Sequence, residues 1–150
     1  MRTLIAAVVV GLGLTQQAQE VTVETVIPMQ QRQGTFQSGS LPVTQIPSQG
    51  TNPGTGLPIR VVTMRVDIAS ADYVDPAASI WFRIFHSGDS GATWRHIAGA
   101  KWVGGPYVDE NGTVNPMPTL TVDLGNIPTH LVRVEVDIPV RIRVGATLIY

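Results

Sequence analysis

Ser79-Ile80-Trp81-Phe82-Arg83-Ile84-Phe85-His86 runs directly into Ser87-Gly88-Asp89-Ser90-Gly91-Ala92-Thr93-Trp94. An apolar, aromatic stretch meets a cluster of small and hydrogen-bonding residues, which reads as strand, tight turn and returning strand, a β-hairpin. Ser87 and Asp89 can bond the turn's own amides, and Gly91 can take positive φ at no steric cost. Trp94 is expected to fold its ring onto the hairpin and into the core.

Working outward, the C-terminal run has the cleanest pattern. Val132, Val134, Val136, Ile138, Val140, Ile142, Val144, Ala146, Leu148 and Tyr150 are all at even positions, with Arg133, Glu135, Asp137, Arg141 and Arg143 between them. Alternation of this kind predicts antiparallel sheet with one face buried and one wet. Pro139 cannot donate to a central ladder, so the run is expected to bend there or lie on an edge. Val62-Thr63-Met64-Arg65-Val66-Asp67-Ile68 alternates likewise, but Ile59 and Val61 have the opposite parity, which predicts a bulge near Val61-Val62. Glu20–Ile27 and the Leu120, Val122, Leu124 series read as further strands. Gly104-Gly105-Pro106 reads as a break and Asp109-Glu110-Asn111-Gly112 as a turn. About seven to nine short strands without helical periodicity predict an all-β fold, an antiparallel β-sandwich or jelly-roll-like domain.

Residues 28–58 differ in character. Six Gln and five Pro interrupt a stretch with few large apolar groups, which predicts a linker or an extended arm lying on a neighbouring subunit. The spaced Phe36, Leu41, Val43 and Ile46 would be its anchors, with Trp81 as a further contact. The expected organisation is therefore N-terminal strands over 1–27, an arm over 28–58 and the β-sandwich over 59–150. Thr3–Leu14 has the look of a secretory signal and is too short to span a bilayer as a helix. Gln16 stands where a signal cleavage site ending at Ala18 wants a small residue, so the preferred reading is a retained strand turning at Gly11 and Gly13.

Composition narrows the function classes. In 150 residues, 43% are hydrophobic and only 14% charged, a low charge that suits a surface partly covered by other copies of the chain. Net charge is −1 with scattered Arg, so no basic run exists to grip nucleic acid. The absence of cysteine excludes thiolate metal sites, disulfides and cysteine nucleophiles. His86 and His96 flank the turn and could face each other across the hairpin, but two imidazoles, with or without His130, make a poor metal site and a surface pair is expected. Asp109–Gly112 lacks the spacing of a calcium loop. Asn111-Gly112-Thr113 is a glycosylation sequon, meaningful only in a eukaryotic secretory pathway. Neither Ser87 nor Ser90 sits in a G-x-S-x-G elbow. No catalytic residue, cofactor or metal is expected.

Ser87, Asp89, Gly91, Thr93 and Trp94 spell S-x-D-x-G-x-T-W, which resembles the Asp-box hairpin of sialidase-like repeats and many unrelated β-proteins. Hydrolysis in sialidases needs a propeller of several repeats, and this chain carries the motif once. From Ile80 onward the order of aromatic strand, Asp-box turn, Gly-Gly segment, Asp-x-Asn-Gly turn and alternating terminal run also resembles small structural proteins of tailed bacteriophages. That resemblance implies a non-enzymatic subunit of the virion, in capsid or tail, most simply a capsid cement or decoration protein. Its expected partners are its own copies, as a trimer, and virion proteins such as the major capsid protein, with neither nucleic acid nor membrane. The rival expectation is an exported, secreted or periplasmic carbohydrate-binding β-sandwich module using exposed tryptophans.

Overall fold

The structure, a computed structural model, describes residues 2–5, 20–69, 79–103 and 118–150. The strands are β1 (Arg2–Ile5), β2 (Glu20–Gln37), β3 (Leu41–Pro42), β4 (Val61–Ile68), β5 (Ser79–Ser87), β6 (Arg95–Val103), β7 (Thr119–Asp123) and β8 (Leu131–Ile149). Among the described residues every ladder between strands is antiparallel, and the only helical pieces are single 3₁₀ turns at Val43–Gln45 and Leu124–Asn126. The expected features at Gly11 and Gly13, at residues 104–106 and at 109–113 lie outside the described residues.

β8 organises the sheet. Along one edge it pairs with β2 from Glu135 to Ile149 and with β3 at Leu131 and Val132. Along the other it pairs first with β5, from Leu131 to Asp137, then with β4, from Val144 to Ile149. Pro139 falls in the gap between those two partners, where no N–H is required of it. The β2 ladder shifts register at the same level, from Gly34↔Ile138 to Arg32↔Ile142. Gly34 takes φ 105° there, a value a side chain disfavours, and Gln33 Nε2 donates to the Pro139 carbonyl at 3.0 Å. The irregularity expected at Pro139 is thus a break in both ladders.

Parity survives the break. Val132, Val134, Val136 and Ile138 before it, and Ile142, Val144, Ala146 and Leu148 after it, are all buried. They meet Val62, Met64, Val66 and Ile68 of β4, and Ile80, Phe82 and Ile84 of β5. Each fully buried aliphatic side chain contributes about 1.5–3 kcal/mol relative to exposure, so this single core dominates the stability. β5 carries β6 at its far edge and β4 carries β7. β6 comes against β7, so the antiparallel sheet curls until it nearly closes into a barrel.

Two expectations are corrected. The segment from 28 to 58 is not an arm separate from the sheet: β2 continues through Gln37 on β8, and Leu41, Val43 and Ile46 are 5%, 9% and 1% exposed inside the chain's own core. Arg60 fastens this segment from beneath, donating to the carbonyls of Val43 and Ile46. Gln-rich sequence reads as linker because its ordering partner, β8, lies some hundred residues away (Gln37 and Glu135 are 98 apart). The parity switch at Val61 is also no bulge. β4 simply begins there, and its ladders to β7 and β8 run without a shift.

Candidate functional site

The β5–β6 turn is built as its sequence suggests. Ser87, 1% exposed at the end of β5, donates from Oγ to Asp89 Oδ1 at 2.7 Å and accepts from the Gly91 amide at 2.7 Å. Asp89 Oδ1 also accepts from the Thr93 amide at 2.8 Å, and Oδ2 from the Thr93 hydroxyl at 2.5 Å. These bonds, the Thr93 hydroxyl foremost and then Ser87, hold the Asp89 carboxyl well below the usual carboxylate range. Ser90 and Gly91 are consecutive left-handed residues, φ 58° and 96°, so a glycine at 91 is required by the turn. A carboxylate already accepting three hydrogen bonds is a strut of the turn and a poor proton acceptor.

Trp94 is not part of the core. It is half-buried outside it, with the Arg133 guanidinium 4.3 Å from its ring centre. The same guanidinium lies 5.6 Å from the Phe85 ring, so one cation from β8 sits against two aromatics of the hairpin. Sequence reasoning missed Arg133 in this role, although its odd parity already placed it on the outer face with Phe85.

The two histidines do not face each other. A register shift after Ile84 sets Phe85 opposite His96 and His86 opposite Arg95. His96 packs edge-on to Phe85 at 5.7 Å between ring centres, and His130 is exposed beyond the end of β7. No group of three metal-ligating side chains occurs among the described residues. His86 instead lines a cleft of about 310 Å³ with Thr93 and Arg95 on one wall and Ile127 and Pro128 on the other. Burial, and secondarily the Arg95 charge, lower its pKa, so the cleft wall offers a guanidinium beside a neutral imidazole.

The outer face of β5, β6 and β8 carries a second group. Trp81 is 41% exposed while its neighbour Phe82 is buried. Lys101 Nζ and the Arg83 guanidinium each lie 5.6 Å from the Trp81 ring centre. Arg83 donates to Glu135 Oε1 at 2.9 Å, Gln37 donates to Glu135 Oε2 at 2.7 Å, and Thr35 donates to Asp137 at 3.2 Å. Glu135 thus pairs with Arg83 of the neighbouring β5 strand. Phe36, the remaining expected anchor, is half-buried under the Arg32 guanidinium at 4.8 Å.

No protein-family model, no curated protein and no solved structure matches this chain. Function therefore rests on the geometry above.

Proposed function

We propose that the chain is a non-enzymatic structural subunit of a tailed-phage virion, an oligomeric capsid cement or decoration protein. We read its curled sheet as a β-sandwich of jelly-roll type, with β8 shared between a β5–β6 group and a β4–β7 group. The observation that carries the reading is the surface: Trp81 and Met29, the exposed large apolar residues among those described, stand on an all-β body of low charge. Exposed apolar groups on such a body suit contacts with other subunits. The Asp-box supports it too, since its carboxylate is taken up within its own turn. On this reading the partners are further copies and the major capsid protein, and the work is mechanical: contacts repeated across the shell oppose the pressure of packaged genome.

Quantitative mass spectrometry of purified particles tests this. Many copies per particle are expected. A chain absent from particles and recovered from the medium would contradict it, and would favour the second reading. That reading is a secreted or periplasmic carbohydrate-binding module, supported by the Trp81 ring standing exposed beside Lys101 and opposite Asp137.

A further inference from the structure

The even positions of β5 face the core, and Ile80, Phe82 and Ile84 are buried there. His86 continues that series, set opposite Val132 of β8 and Arg95 of β6 in the two ladders. Residues opposite each other in a ladder share a face, so the core face of the β5–β6 hairpin ends in an imidazole and a guanidinium. At this rim of the curled sheet they line the cleft of about 310 Å³, across from Ile127 and Pro128. The mouths of β-barrels are recurrent places for small-molecule sites.

The cleft is preformed. The His130 amide donates to the Ser87 carbonyl at 2.8 Å, which ties the segment carrying Ile127 and Pro128 to the end of β5. The walls close at Gly88, where a β-carbon would stand 3.0 Å from the Pro128 carbonyl oxygen. On the other side the bonds between Asp89 and Thr93 fix the turn.

Its polar groups are open to a ligand. Neither ion pair between described residues, Arg65 with Asp67 or Arg83 with Glu135, uses Arg95. Both Asp89 oxygens are bonded within the turn, so that carboxylate adds a fixed negative charge without occupying the guanidinium. His86 Nδ1 is buried and has no hydrogen-bond partner among the described residues. A proton there would be an N–H without an acceptor, so the neutral ring keeps its proton on Nε2 and offers that donor to the cleft it lines.

We propose that this cleft binds a compact monocarboxylate, its acid group on the Arg95 guanidinium and His86 Nε2, its body along Ile127 and Pro128. The planar guanidinium fork matches a carboxylate with two parallel hydrogen bonds. One cation facing one fixed carboxylate suits a single negative charge, and a phosphate dianion would meet stronger repulsion from Asp89. The acid can be free or the uronic end of a glycan. The inference stands apart from both the virion and self-association.

The test is an NMR titration of the labelled full chain at neutral pH, following the His86 ring and the Arg95 guanidinium, with isovalerate, glucuronate, glucose and inorganic phosphate as probes. At least one acid is expected to shift both groups saturably, with half-saturation below about 10 mM. The tighter acid tells a free apolar acid from a uronic sugar. Arg95→Gln should weaken that binding by about tenfold or more, with circular dichroism unchanged. Should the variant fail to fold, the neutral and phosphate probes decide on the wild type. Glucose or phosphate binding as tightly as the acids, neither acid reaching saturation, or a folded Arg95→Gln variant that binds unchanged would each overturn the proposal.

Discussion

Ile27 and Gly145 meet backbone to backbone. The Ile27 carbonyl oxygen lies 2.7 Å from where a β-carbon on residue 145 would stand, and the Met29 amide nitrogen 3.0 Å from it. The register shift in β2 between Ile27 and Gln30 brings Met29 over β8 at this point, and neither contact belongs to a side chain that could move aside. Gly145→Ala should therefore cost about 1–3 kcal/mol as an overpacking change, read as a lowered denaturant midpoint. Gly39→Ala, where nothing lies within 4 Å, should leave the midpoint within about 0.5 kcal/mol.

Ile46 separates the observed fold from an arm docked on a neighbour. At 1% exposure inside the chain's own core, Ile46→Ala should destabilise the monomer by about 2–5 kcal/mol. Deleting residues 30–55 should likewise abolish cooperative unfolding rather than release a folded sandwich, because β8 would lose part of its β2 ladder. Circular dichroism with thermal melting reads both.

Tyr150 sets a limit at alkaline pH. Its hydroxyl donates to Glu24 Oε2 at 2.7 Å, and burial, then Glu24, push its pKa up to about 12. The folded state favours the neutral phenol, so this contribution is fully present below the unfolded value of 10.0 and is lost as pH rises from there to about 12. Tyr150→Phe should cost about 1 kcal/mol at neutral pH and flatten the alkaline loss, measured by urea unfolding across that range.

Asp89 and His86 act in acid. Both are lowered in the folded state, so each contributes stability above its unfolded pKa that is lost as pH falls through its folded one. The His86 contribution fades as pH falls below 6.5 and that of Asp89 as pH falls below 3.8. Asp89→Asn should lower the melting temperature at neutral pH and reduce the slope of stability against pH below about 4. His86→Gln should reduce the slope near pH 6 alone.

Which parts were legible in the sequence follows from where each element finds its partners. The Asp-box turn was readable because Ser87, Asp89, Gly91 and Thr93 bond one another within seven residues. β8 was readable because its even positions face one core on both sides of Pro139. Gln30–Gln37 was not, since its order comes from a ladder to the far end of the chain and its polar side chains record only its solvent-facing position. Trp94 was misplaced for the same reason: the cation that covers it, Arg133, arrives from β8. The His86–His96 pairing failed on one register shift after Ile84, which no local pattern announces.

Under the functional proposal this body associates with copies of itself. Multi-angle light scattering of the full-length chain over a rising concentration series tests it most directly. A mass at a multiple of the 16.1 kDa chain, growing with concentration, is the expected result. A mass that stays at one chain throughout would contradict it.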